Sequence, residues 1–307
     1  MFPDVKENRI DTDPALEAYV RDIILGRIYH VRELIGNQED VHTLIHETRK
    51  TMKGIRAVLK MIRDEIGYSS YFRENRIYRD LGKSLSGARD SYVLGQVFAS
   101  LCDRYPAMIH QTDQETVMKC LTGRMDRELA RFTNEKGGFD HIRKELDRGS
   151  GRVPQYCRLR NGFESVSRGI RRIYGRGRRY LSKVSRDFHM AEFHEYRKNT
   201  KYLLHQVEIL QPLYPRVLKS YAKSIEKHAE RMGITRDYHR LEVYLADEAG
   251  DSIGDGVKLL LLEKIRAHRE NMLEKILSNA SLIYAESPDA FIKRMGIYWD
   301  AGDGLHV

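Results

Sequence analysis

The chain has 307 residues, with 53 Lys and Arg against 44 Asp and Glu, for a formal charge of +9. A hydrophobic share of 41% permits a real core and excludes global disorder, and seven prolines with 23 glycines exclude a Pro/Gly-rich fibre. The length suits two ordinary domains or one domain built from two halves.

In chain order, apolar residues recur at three- and four-residue spacing, and no window alternates as a strand does. The spacing predicts helices over 14–35, 41–65, 75–104, 113–134, 138–147, 161–184, 188–211, 215–232, 234–248, 257–279 and 288–295, an all-α fold. Punctuation falls between them at Gly36-Asn37, Gly67, Pro106, Gly137-Gly138, Gly149-Ser150-Gly151 with Pro154, Pro212, Pro215 and a Gly/Asp loop at 247–256. The stretch 149–154 is the best place to divide the chain, giving halves 1–150 and 151–307.

The densest apolar run, 259–262, is flanked by Lys258 and Glu263, so no membrane span is expected. The first fourteen residues show no apolar run behind a basic one, so no secretory signal is expected either. Cys102, Cys120 and Cys157 are isolated and odd in number, which makes neither a disulfide framework nor a metal knuckle. A cytoplasmic protein without metal or cofactor is the expectation.

The cations are clustered. Segment 158–186 holds ten basic residues (Arg158, Arg160, Arg168, Arg171, Arg172, Arg176, Arg178, Arg179, Lys183 and Arg186) and one acid, Glu164. Its +9 equals the excess of the whole chain. A second, acid-free window at 48–63 holds Arg49, Lys50, Lys53, Arg56, Lys60 and Arg63. Clustering of this kind is what a polyanion site requires.

The two halves resemble each other. His46-Glu47-Thr48-Arg49-Lys50-Thr51-Met52-Lys53 aligns with His194-Glu195-Tyr196-Arg197-Lys198-Asn199-Thr200-Lys201 at an offset of 148. Arg89-Asp90-Ser91-Tyr92 aligns with Arg236-Asp237-Tyr238 at 147, and Arg27-Ile28-Tyr29 with Arg172-Ile173-Tyr174 at 145. Three matches in the same order point to a duplicated helical unit and two similar bundles about a pseudo-two-fold axis.

In the first half, His42, His46, Arg49, Lys53, Arg56, Lys60 and Arg63 step by four and three residues in turn, which places them along one helix face. Ile45, Met52, Ile55, Leu59 and Ile62 occupy the other side and can bury. His194, Arg197, Lys201 and His205 repeat the pattern, and Arg168, Arg172, Arg176, Arg179 and Lys183 make a third stripe. A merely solvated face interleaves Glu with Lys, because like charges four apart destabilise a helix by roughly 0.2–0.5 kcal/mol per pair. The first-half stripe accepts that repulsion several times over without one acid, and arginine, whose planar fork suits phosphate oxygens, dominates the second-half segment.

The string His46-x-x-Arg49-x-x-x-Lys53-x-x-Arg56-x-x-x-Lys60, its partial recurrence at His194, Arg197 and Lys201, and Leu85…Arg89-Asp90…Val93-Leu94 resemble the CHAD domain, the conserved histidine α-helical domain. Gly169-Ile170-Arg171-Arg172-Ile173-Tyr174-Gly175-Arg176-Gly177-Arg178-Arg179 is similar to the basic helix that opens the family's second half. The resemblance covers nearly the whole chain. It implies two four-helix bundles with a basic central groove or pore, binding of inorganic polyphosphate, association with polyphosphate granules, and no catalytic activity of the domain itself. The implied anion ligands are His46, Arg49, Lys53, Arg56, Lys60, Arg168, Arg172, Arg176, Arg179, His194, Arg197 and Lys201. Gly54 stands where the family often has a basic residue, and His205 where Arg is common. Some members are fused to a triphosphate-hydrolysing CYTH domain carrying a Glu-x-Glu-x-Lys string; none occurs here, so a stand-alone binding domain is expected.

Other chemistry has weaker support. His42 and His46 have zinc spacing, but Thr43 stands where a metalloprotease needs Glu, and Arg49 would repel a cation. Gly82-Lys83-Ser84 resembles the end of a P-loop, yet Ile77 replaces the required Gly. The 247–256 loop fails the EF-hand spacing. Arg89, His205 and Arg236 remain lesser ligand candidates, with Asp90 and Asp237 either orienting neighbouring arginines or bracing helices. Nucleic acid competes with polyphosphate as partner, since the electrostatics are shared; a base-reading helix or RNP-like string is absent from the sequence. Cleavage or extension of polyphosphate would need an acidic metal cage, which is not evident.

Overall fold

Residues 15–37, 39–159, 162–248 and 253–302 are described by the computed structural model of the protein. Arg160, the first fourteen residues and the centre of the 247–256 loop lie outside them. Among the described residues the regular structure is helical, with eleven α-helices and no strand. These are α1 (Ala15–Gly36), α2 (Val41–Met61), α3 (Tyr68–Ser84), α4 (Ser86–Arg104), α5 (Gln111–Lys136), α6 (Gly138–Tyr156), α7 (Glu164–Arg186), α8 (Met190–Leu210), α9 (Pro215–Val243), α10 (Asp255–Ile283) and α11 (Pro288–Gly302). That is more than two four-helix bundles supply.

Local chemistry sets several ends. Asp40 caps α2, its carboxylate accepting from the backbone N–H groups of His42 at 3.1 Å and Thr43 at 2.9 Å. Gly137 closes α5 in the left-handed region, φ +73°, where only glycine is unstrained. Pro215 opens α9 at its first turn, where its missing N–H costs nothing.

Three boundaries differ from the spacing. The helix expected over 75–104 is two, α3 and α4, with the break at Leu85. The helices expected over 215–232 and 234–248 are one, because Gly233 continues α9 beside the Arg197 guanidinium. Gly149-Ser150-Gly151 and Pro154 lie inside α6, not between elements. Gly149 faces the Tyr78 hydroxyl, where a Cβ would stand 2.8 Å from the oxygen, so a glycine read as a breaker is a packing residue.

The innermost helices are α2 and α8. Ile45, Met52, Ile55, Leu59 and Ile62 are buried as expected, and Thr48, Gly54, Ala57, Val58 and Met61 are buried too, so α2 is enclosed around most of its circumference. It packs on α1, α3, α7 and α8. In α8, Phe193, Tyr196, Leu203, Val207 and Leu210 are buried. Gln206 donates to the Ala57 carbonyl at 3.2 Å, and Tyr19 of α1 to that of Ile209 at 2.9 Å. Full burial of each large side chain stabilises the fold by about 1.5–3 kcal/mol, so this double column is the main core. A second core forms where Leu94, Phe98 and Leu101 of α4 and Val117 and Leu121 of α5 meet Tyr238 and Leu241 of α9 and Leu261 and Ile265 of α10.

Helix approach depends on one glycine in particular. At Gly169 of α7 an added Cβ would stand 2.0 Å from the Met61 carbonyl oxygen of α2. That contact seats the buried face of α7, with Ser165, Val166 and Ile170, against the carboxyl-terminal end of α2 and leaves the basic face outward. Among the described residues, no helix is long and apolar enough to cross a membrane.

Candidate anion-binding site

The polar sides of α2 and α8, left over once their apolar sides are buried, converge with α4 and α9. Lys53 of α2 is surrounded by Arg49 of its own helix, Arg197 and Lys201 of α8 and Arg236 of α9. Burial, and after it those four cations, push its ammonium down to about 7. Arg197 is pushed down to about 10, first by burial and then by Arg236. Arg49 is lowered by burial, against the pull of Asp90 and with the repulsion of Arg236, Arg89 and Arg240. His46 and His194 stand at the margins of the same crowd, and burial with neighbouring cations lowers both below the ordinary imidazole value.

Acids hold parts of this cluster in place. Arg240 reaches Asp90 at 2.5 Å and Arg236 reaches Asp237 at 2.8 Å, with Asp90 a further 3.7 Å from Arg236. Arg49 donates to the Gly82 carbonyl at 2.6 Å, while Arg197 Nε is buried with no hydrogen-bond partner. His42 stacks on Tyr92 at 4.1 Å, with Arg89 over the same ring at 5.5 Å, so His42 packs on a ring. Among the described residues, no group of three or more His, Cys, Asp or Glu is arranged to hold a metal ion.

Further along α2 a second set forms. Arg56 donates to Asn75 at 3.1 Å and Lys60 to the Tyr71 hydroxyl at 3.1 Å, with Tyr202 of α8 under Lys60 at 5.0 Å. Burial, then Arg56, Arg176, Lys198 and Arg63, push Lys60 down to about 8. Arg176 of α7 therefore belongs with the α2 stripe, across the Gly169 contact.

The other α7 candidates are more dispersed. Arg172 is paired with Asp64, Arg171 with Asp289 at 2.6 Å, and Arg168 and Arg179 are exposed. Arg171, Arg172, Arg176 and Arg179 line a shallow pocket of about 220 Å³ with Gly175 and Pro288. His205 sits apart, 2.9 Å from Glu208 and lowered first by its burial. Beside it Arg27 fills the space left by Gly54, where a Cβ would stand 2.1 Å from the guanidinium. The missing basic residue at 54 is thus matched by a buried one arriving from α1.

Sequence reasoning passed over Arg240, Lys198, Tyr71 and Tyr202. Arg240 lies four residues beyond Arg236 and was detectable by helical spacing; the tyrosines were not, since their contact with cations is tertiary.

Fold and site define an all-helical protein whose buried inner helices carry opposed rows of cations. The sequence matches the CHAD domain family over residues 28–246, and the chain belongs to that family. Among curated proteins no match was found.

Proposed function

We propose that the protein is a non-enzymatic module that binds inorganic polyphosphate along a groove lined by Arg, Lys and His from two repeated helical halves. The single observation that carries this reading is the crowd of Arg49, Lys53, Arg197, Lys201 and Arg236. Five cations from three helices are held together in a partly buried place, where burial first and the neighbouring cations after it push Lys53 down to about 7. Asp90 and Asp237 stand at Arg236, and Glu230, Glu208 and Glu226 act on Lys201. A fold keeps such repulsion when a polyanion relieves it. The order of neighbours supports the duplication, α1 on α2 and α2 on α3 corresponding to α7 on α8 and α8 on α9, with α4 on α5 corresponding to α9 on α10. In this reading α9 replaces the α3–α4 pair, Asp90 and Asp237 orient the arginines, and the module works in the cytoplasm at polyphosphate granules.

The experiment is titration with long-chain polyphosphate at fixed physiological salt, with single-stranded RNA and orthophosphate as competitors, since polyanion affinity is steeply salt-dependent. Tight binding that RNA does not displace, and that Arg49→Ala with Arg197→Ala weakens by about tenfold or more, is the expected result. Equal or tighter RNA binding moves the assignment to nucleic acid.

A further inference from the structure

At the carboxyl-terminal end of α2 the cation stripe meets a set of aromatic rings that the polyphosphate reading does not use. The Arg63 guanidinium lies 6.0 Å from the Tyr68 ring centre and 5.2 Å from that of Tyr71. Lys60 Nζ donates to the Tyr71 hydroxyl at 3.1 Å. Tyr71 is buried, but Tyr68 is 67% and Phe72 45% exposed. Those two rings sit on the first turns of α3 with centres 4.1 Å apart and planes tilted by 43°, so a planar group stacks on one ring with the other against its edge. Phe72 meets Tyr71 edge-on at 5.3 Å.

Two large rings packed on each other and open to water form a stacking platform. The surroundings restrict what can occupy it. Arg56, Arg63, Arg176 and Lys198 all act on Lys60, so the platform adjoins a dense group of cations. Two nearby acids are already paired, Asp64 with Arg172 and Glu195 with Lys198. An aliphatic partner surface would gain nothing from those charges, and inorganic phosphate would gain nothing from the rings. A planar base joined to several phosphates satisfies both. Sequence-tolerant strand binding uses a succession of such platforms. At this end of the stripe the other tyrosines, Tyr71 and Tyr202, are buried, and Tyr92 lies at the far end under His42, which leaves room for one base here.

We propose that this end of the stripe binds a nucleoside triphosphate, its base against the Tyr68 and Phe72 rings and its phosphates on Lys60 and Arg63. The assignment rests on the reading of the stripe as phosphate-binding and adds to it a preference for an aromatic group.

The test compares ATP with inorganic triphosphate by calorimetric titration at one salt concentration, with long-chain polyphosphate and single-stranded RNA as further arms. ATP is expected to bind about tenfold tighter than triphosphate, the margin that one base–aromatic stack supplies. Tyr68→Ala with Phe72→Ala should erase that margin and leave triphosphate and polyphosphate affinity unchanged, while Tyr68→Phe, which keeps the ring, should retain it. Equal binding of ATP and triphosphate, a margin that survives the double alanine variant, or RNA tighter than ATP at equal phosphate concentration overturns the proposal. If polyphosphate binds and ATP shows no margin, only the platform falls; if no phosphate compound binds, the stripe reading falls with it.

Discussion

Replacing Lys53 by Met separates the two effects of the cation crowd, on the stability of the free protein and on the affinity for a polyanion. Lys53 falls from 10.5 to about 7 on folding, through burial first and then Arg49, Arg197, Lys201 and Arg236. The folded chain then binds this proton less readily than the unfolded chain. The penalty is full below pH 7 and disappears as pH rises from 7 to the unfolded value, so this group makes the wild type more stable with rising pH across that interval. At pH 7 the shift corresponds to about 4 kcal/mol, reduced to about 2–4 kcal/mol by relaxation and water entry. Methionine fills a similar volume without the charge. Lys53→Met is therefore expected to raise Tm by about 4–8 °C in calorimetry at pH 7, at roughly 2 °C per kcal/mol for a chain of this size.

The same variant should bind polyphosphate about 10–100-fold more weakly, having lost one charge-assisted hydrogen bond. In the wild type, affinity should rise as pH falls from 8 to 6, since a polyanion favours the protonated forms of Lys53, His46 and His194. A large part of that slope should vanish in the variant. A Lys53→Met protein that is less stable than the wild type at pH 7, or that binds polyphosphate equally well, would refute the reasoning.

Three other outcomes follow from particular contacts. Asp90→Asn leaves Arg240 and Arg236 without their shared carboxylate; Tm and polyphosphate affinity should both fall as the two arginines lose their orientation, whereas a rise in low-salt affinity would make Asp90 a competing counter-charge and contradict the orienting role. Buried His228, 2.7 Å from the Tyr196 hydroxyl, is pushed down to about 4 by its burial. The fold should lose up to about 3 kcal/mol as pH falls from 6.5 to 4, and a Tm-versus-pH profile of His228→Gln that matches the wild type would remove that account. Gly169→Ala should destabilise by about 1–3 kcal/mol through its clash with the Met61 carbonyl. Gly26→Ala, with open space around it, should stabilise α1 by about 0.5–1 kcal/mol in chemical denaturation, and the opposite order of the two would contradict the packing described.

Much of the fold was legible along the chain. The 3.6-residue pattern on α2 located both its buried residues and its cations, because side chains on a helix are placed by backbone geometry alone. The same periodicity, with acids absent over 48–63, marked the stripe before any contact was known. Glycine and proline were less informative. Gly149 and Gly233 have the composition of breakers, and Gly149 lies where a partner side chain needs the space, a reason that resides on another helix.

What the sequence determined by itself is the helical class, the positions of the cation rows and the family, since each rests on spacing within single segments. Which of those cations act together was decided only by tertiary structure. Arg49, Lys53, Arg197 and Arg236 converge because the apolar sides of α2 and α8 bury into a common core and turn their polar sides toward α4 and α9. Arg179 and His205, equally regular in spacing, end exposed or beside a carboxylate. The depressed value of Lys53 has the same origin: Coulomb repulsion depends on distance through space, and burial on what the other helices cover.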